Sequence, residues 1–196
     1  RESCITDEMM HLSKKIRAID RGLIIVGPNQ PQSADNFASC VGQIAIELGW
    51  PTLTDGLSPL RGFSDVNPYL VSHYHFILSN PNLFVSLRPK AVLGIGPLPA
   101  SKILRTWLEK IPAITWIVDN SLNNVDGLHR EATHLRISVD TLRVIIGKNL
   151  KKQTPYCQEW LKLEKRVTKN INKKMRECNF SYEGKIAWLL SKYLPP

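Results

Sequence analysis

Ala91-Val92-Leu93-Gly94-Ile95-Gly96-Pro97-Leu98-Pro99-Ala100-Ser101-Lys102 is the stretch that decides the fold class. An apolar run breaks into glycines and prolines, and a serine and a lysine then open a new amphipathic segment. In an α/β sheet that order is a buried strand, a crest loop at its carboxyl end, and a helix whose start faces whatever sits above the crest. Glycines in the loop and free N–H groups at the helix start favour an anionic guest, because backbone donors and the helix dipole both attract negative charge. Lys102 stands at that place.

Outward from this stretch the same grammar repeats. Gly22-Leu23-Ile24-Ile25-Val26-Gly27 reads as a buried strand closed by Gly27-Pro28. Ser33 is a fitting N-cap for a helix through Phe37, Val41, Ile44 and Leu48, ended by Gly49. Pro51 to Thr54 is a short strand, Gly56 to Pro68 a loop, and Tyr69 to Leu78 a helical stretch, with a second near Leu83 to Leu87. Lys90 to Ile95 is the third strand, Ser101 to Lys110 its helix, Ile114 to Val118 the fourth strand, and Thr133 to Ile137 a fifth, before a helix over Val139 to Ile146. Strands alternating with helices specify an α/β, Rossmann-like three-layer domain with a mostly parallel sheet of five to six strands.

Residues 1–20 read as a lead-in helix, 21–150 as the α/β domain, and 151–196 as a basic helical connection made of two C-terminal helices. An ending on an amphipathic helix and two prolines is expected of a chain cut from a larger protein.

At 196 residues, 43% of them hydrophobic, the chain can bury one sizeable core with an appendage. The mean hydropathy of −0.17 is that of a soluble globular protein. No apolar run approaches the ~20 residues of a membrane span, and the amino terminus lacks the layout of a signal peptide. The four cysteines, Cys4, Cys40, Cys157 and Cys178, form no CxxC pair, which argues against a structural zinc and a dense disulfide framework. The net charge of +9 is unevenly spread: residues 1–147 carry 14 basic against 13 acidic side chains, and residues 148–196 carry 12 against 4. The basicity belongs to the tail, where it reads as a solvated helix face; no RNA signature or helix-turn-helix spacing accompanies it.

No catalytic set is complete. The chain has no G-x-S-x-G elbow, P-loop, H-E-x-x-H or acidic cluster for magnesium. Gly94-Ile95-Gly96 supplies two glycines of a dinucleotide fingerprint, but Pro99 stands at the third position, and Gly27-Pro28-Asn29 is explained by the turn alone. Asp55, Ser58 and Arg61 follow the second strand at three-residue spacing, where they either contact a substrate or cap turns. Asp119, and Asp126 with His129, admit the same two readings. His73 and His75 are one residue apart, face different ways on a helix, and make a poor metal pair. Lys102 at a helix start opposes the dipole, which either a nearby anion or plain solvation explains.

Several blocks carry a more specific signal. Arg21 to Gly27, Leu48-Gly49-Trp50-Pro51-Thr52-Leu53-Thr54-Asp55-Gly56-Leu57-Ser58-Pro59-Leu60-Arg61, Gly96 to Lys102, Trp107-Leu108 and Trp116-Ile117-Val118-Asp119 together resemble the middle domain of the MenD family. Those enzymes are the thiamine-diphosphate-dependent SEPHCHC synthases of menaquinone and phylloquinone biosynthesis. Asp126 followed by His129 is similar to the family's acid-and-histidine loop. The resemblance covers about residues 21–140, and the helix from Tyr182 to Pro196 is similar to the family's lead into its third domain.

The resemblance implies a three-domain enzyme that joins decarboxylated 2-oxoglutarate to isochorismate, releasing carbon dioxide. It implies thiamine diphosphate and Mg2+ in the full-length enzyme, with ligands outside this chain, so that the segment alone is inactive. It implies a homodimer or homotetramer, no membrane or nucleic-acid partner, and a cytoplasmic location, or the plastid stroma in a photosynthetic eukaryote. By motif position Lys102 matches a family lysine that reaches substrate carboxylates, with Ser101 and Arg61 as additional substrate-binding candidates; catalytic, cofactor-binding and metal residues are expected to be absent. Where some members follow that lysine with arginine, this chain has Ile103. Two other readings are the central domain of an acetolactate-synthase-like enzyme holding a nucleotide, and a stand-alone nucleic-acid-binding module.

Overall fold

Gly22–Val26 (β1) and Ala91–Ile95 (β4) contain no charged or polar side chain, and they pair in parallel at the centre of one sheet. Strands buried on both faces need no polar–apolar alternation, which is why both read as continuous apolar runs. The computed structural model describes residues 7–121, 126–129, 131–148, 153–180 and 182–194. Thr52–Thr54 (β2), Leu70–Val71 (β3), Ile114–Val118 (β5) and Thr133–Leu135 (β6) complete a six-stranded sheet in the order β3-β2-β1-β4-β5-β6. Every neighbouring pair is parallel. This is the strand order of a doubly wound dinucleotide-type fold, with its reversal between β1 and β4.

Two cores lie on the two faces. Ile24, Val26, Leu93, Ile95, Trp116 and Val118 point to one, under α1 (Asp7–Arg17), α2 (Ala34–Leu48) and α6 (Val139–Ile146). Leu23, Ile25, Leu53 and Val92 point to the other, under α3 (Tyr74–Leu78), α4 (Pro81–Ser86), α5 (Lys102–Glu109) and the first turns of α7 (Pro155–Glu177). The helix boundaries follow local chemistry. Ser33 accepts from the Asn36 N–H at 3.2 Å at the start of α2, and Gly49 closes that helix in the left-handed conformation.

The structure corrects one expectation. Leu70 and Val71 are not helical; they pair with Thr52 and Leu53 as an edge strand, and the helix starts only at Tyr74. The Asn67 carboxamide oxygen accepts from the Tyr69 N–H at 3.0 Å, and the Tyr69 carbonyl accepts from Thr52 at 2.9 Å, so the chain is extended before it can coil. Tertiary pairing overrides a helical pattern here. The loop from Gly56 to Pro68 contains a 3-10 turn, Pro59–Gly62, capped by the Ser58 hydroxyl.

Beyond Trp160 no residue of α7 is fully buried, and α8 (Glu183–Tyr193) folds back beside it. The Trp188 indole N–H donates to the Asn172 carboxamide at 2.8 Å, and no residue of α8 is buried.

Candidate functional site

In a doubly wound sheet, ligands lie beyond the carboxyl ends of the strands, at the reversal of strand order. In this chain the crests of β1 and β4 touch there. A Cβ on Gly27 would sit 1.9 Å from the Pro97 carbonyl oxygen, and one on Gly96, whose φ is +69°, would sit 2.7 Å from Asn29 Nδ2. The glycines thus serve crest-to-crest packing.

An open cleft of about 820 Å³ lies to one side, over the carboxyl ends of β2 and β3 and the start of α5. Asp55, Gly56, Leu57 and Arg61 come from the loop after β2, Ser72 from the turn after β3, and Tyr74 and His75 from the start of α3. Ala100, Ser101 and Lys102 come from the crest after β4. The three residues singled out in the sequence, Arg61, Ser101 and Lys102, therefore share one cleft.

Each is held by its local structure. Ser101 is the N-cap of α5; its hydroxyl accepts from the Leu104 N–H at 3.4 Å. Lys102, the first residue of the helix, is exposed, as is Arg61 on its 3-10 turn. Asp55 Oδ1 accepts from the Leu57 N–H at 3.0 Å, the turn-capping role that was one of its two readings. Ser58 is buried and caps the same loop, outside the cleft lining. Tyr74 is buried to 3% exposure. Burial pushes its phenol above the ordinary value, the Ser101 hydroxyl pulls it back by hydrogen bonding, and nearby Asp55 adds to the rise. The cleft thus offers two cations, an imidazole and three hydroxyls against a single carboxylate already engaged by backbone. That donor set suits an anionic ligand.

Two other openings differ in character. Asp119 and Asp140 line a crevice between the starts of α2 and α6, with no cationic side chain in its lining. The Asn36 carboxamide donates to Asp140 at 2.9 Å and holds its carboxyl below the usual range, ahead of smaller effects that include the Cys40 thiol. An apolar slot of about 530 Å³ lies between the β4–β5 face and α5, with Asp126, Gly127 and Leu128 at its mouth. Asp119 Oδ1 accepts from the Ser121 N–H at 2.7 Å, and Asp126 Oδ1 from the Leu128 N–H at 2.9 Å. His129 is exposed, with φ of +50°. Cys40 and Cys157 are buried free thiols, and Cys4 lies outside the described residues. Among the described residues no three His, Cys, Asp or Glu side chains gather as a metal site, and no helix is long and apolar enough to cross a membrane.

Among the cleft residues that the sequence reading missed are Tyr74 and His75. Their only sequence signal was the Leu70-Val71 pair, too short to be read as a strand. Recognising that strand would have placed both residues at a crest.

Fold and cleft together define a doubly wound α/β domain with a cation-bearing cleft beside its crest. The chain belongs to the family described as the middle domain of thiamine pyrophosphate enzymes, whose model matches residues 2–196. It is similar to 2-succinyl-5-enolpyruvyl-6-hydroxy-3-cyclohexene-1-carboxylate synthase of Acaryochloris marina (strain MBIC 11017), at 45% identity over 181 residues, covering 90% of this chain and 31% of that protein. It is similar to the protein of the same name from Trichodesmium erythraeum (strain IMS101), at 42% over 191 residues, covering 96% of this chain and 33% of that one. The Rippkaea orientalis (strain PCC 8801 / RF-1) protein is 34% identical over 196 residues. The chain thus spans about a third of the length of the curated relatives it matches.

Proposed function

We propose that this chain is the central domain of a SEPHCHC synthase, and that its crest cleft lends Lys102, Ser101 and Arg61 to that enzyme's anionic substrates. The observation that carries the reading is the meeting of Arg61 and Lys102, 41 positions apart in sequence, in one cleft beside Ser101. Isochorismate and 2-oxoglutarate are both dicarboxylates, and a guanidinium and an ammonium at a helix start that already offers N–H donors match that charge.

In the full-length enzyme, thiamine diphosphate supplies an electron sink for decarboxylation of the 2-oxo acid. The cleft residues do not fit the cofactor's metal. Magnesium takes oxygen ligands in octahedral geometry, whereas this cleft holds cations and one carboxylate engaged by backbone. The role of this chain is to bind and orient. Lys102 and Arg61 neutralise carboxylates, and Ser101 keeps α5 capped so that Lys102 stays at the rim. Cofactor and Mg2+ ligands are assigned to the rest of the polypeptide, together with assembly as a homodimer or homotetramer. The location that fits is the cytoplasm, or the plastid stroma in a photosynthetic eukaryote.

Residues 151–196 are read as the connection toward the diphosphate-binding domain. Ile186, Leu189, Leu190 and Tyr193 recur at helical spacing along one side of α8, and all are exposed, from 37% to 80%. A single exposed 11-residue helix has little stability in water, so the stripe is the face that the following domain covers.

The test is Lys102→Ala in the full-length enzyme. KM for a dicarboxylate substrate is expected to rise on the order of 10- to 100-fold, the loss of one charge-assisted contact. Unchanged kinetics would remove Lys102 from the site.

A further inference from the structure

We infer that Glu164, on α7, is a positioning residue for the crest cleft. Its carboxylate holds the Ser72–His73 dipeptide, and through it sets Tyr74 and His75 against the start of α5. The inference rests on the cleft being the substrate site.

The geometry is a three-donor grip from an element distant in sequence. Glu164 Oε1 accepts from the Ser72 N–H at 3.0 Å and Oε2 accepts from the His73 N–H at 3.0 Å. Oε1 also lies 2.8 Å from His73 Nδ1. A carboxylate oxygen only accepts, so Nδ1 carries the proton. One turn further along α7, the Thr168 hydroxyl lies 3.3 Å from the same ring nitrogen and donates to the Glu164 carbonyl at 2.9 Å. The Glu164 side chain is 14% exposed. The other acids of α7, Glu159 and Glu177, are exposed, and Glu177 pairs along its own helix with Lys173 at 3.8 Å. Glu164 alone among them turns inward, from a helix whose other charges face water.

What it grips borders the cleft. Ser72, Tyr74 and His75 are lining residues, and they share the cleft with Ser101 and Lys102. Direct contacts therefore run from α7 to the segment that forms this wall of the cleft. Local structure cannot supply this support. His73, at the N-cap of the five-residue α3, makes no side-chain cap bond, and so short a helix does not hold itself. The Glu164 carboxylate instead anchors the two residues that lead into α3, and α7 thereby sets the shape of a binding surface it does not itself line.

The experiment is Glu164→Gln in the full-length enzyme, measured beside Glu177→Gln and Lys102→Ala. Glutamine keeps the shape but turns one acceptor into a donor facing an N–H group. KM for the dicarboxylate substrate is expected to rise about 5- to 20-fold, with kcat changed less than about twofold, because the groups displaced bind and orient the ligand. Glu177→Gln is expected to leave both constants unchanged. If Glu164→Gln does not fold, Glu164→Asp, which keeps the charge and withdraws the carboxylate by one methylene, is expected to raise KM in the same way. A folded Glu164 variant with unaltered KM but lowered Tm overturns the inference and leaves Glu164 a structural anchor. Unaltered KM in Lys102→Ala overturns instead the reading of the cleft on which it rests.

Discussion

Arg17 donates from Nε to the Ile146 carbonyl at 2.9 Å, and its Nη2 reaches the Gly147 carbonyl at the same distance. The guanidinium of the first helix thereby closes the carboxyl end of α6, where the helix dipole leaves partial negative charge. It also lies 3.8 Å from the Glu47 carboxylate on α2. Three helices of one layer thus meet on one side chain. Arg17→Met is expected to destabilise the protein by about 2–3 kcal/mol, since it leaves part-buried carbonyls without donors. A urea midpoint unchanged by the substitution would disprove this.

Gly22 is the strand position least open to change. A Cβ there would lie 1.9 Å from the Trp50 ring, which is fully buried and fixed by its own N–H bond to the Ile19 carbonyl at 3.1 Å. Neither partner can retreat, so Gly22→Ala is expected to cost at least ~2–3 kcal/mol through overpacking. Wild-type Tm in the alanine variant would show that the ring can shift.

Burial makes the protein sensitive to alkali. The Cys157 thiol is pushed by burial from its ordinary 9.0 up to about 12, against a smaller opposing hydrogen bond from Gln153. Burial likewise raises Cys40, ahead of contributions from Asp140. A thiol that ionises later in the folded chain than in the unfolded one contributes stability that is complete below pH 9. For Cys157 that contribution is lost as pH rises from 9 to 12. Over that window the Cys157 thiol steepens the fall by about 1.4 kcal/mol per pH unit, and Cys40 acts in the same direction. Urea unfolding at pH 8 and pH 10.5 should show the loss, and Cys157→Ala should show less of it. Parallel pH dependence in the two proteins would refute the assignment.

The exposed stripe of α8 gives a fourth prediction. In the full-length protein the amides of α8 are expected to exchange slowly, and Leu190→Glu to lower stability by roughly 1–3 kcal/mol, because Leu190 would be buried there. Fast exchange throughout Glu183–Tyr193 would show that nothing covers the helix.

Much of the framework was legible from residues alone, for reasons visible at single positions. β1 and β4 announce themselves because both faces are buried, so no polar side chain interrupts them. Ser33 and Gly49 bracket α2 because capping is local chemistry, decided within four residues. Leu70-Val71 was illegible because a two-residue edge strand is defined by its partner, Thr52-Leu53, and not by its own pattern. The same error hid Tyr74 and His75 from the cleft. Lys102 was legible because it follows a crest within one segment.

The sequence by itself determined the alternation of strand and helix, the crest that ends in Ser101-Lys102, and the concentration of positive charge after residue 147. These are properties of neighbours along the chain. Tertiary structure alone decided that β1 and β4 lie side by side with their crests in contact. It alone brought Arg61, His75 and Lys102 to one cleft and turned Glu164 inward to hold that cleft's wall. The physical reason is that strand order and long-range contacts follow from packing two apolar faces at once. No local window of sequence contains both partners of such a contact.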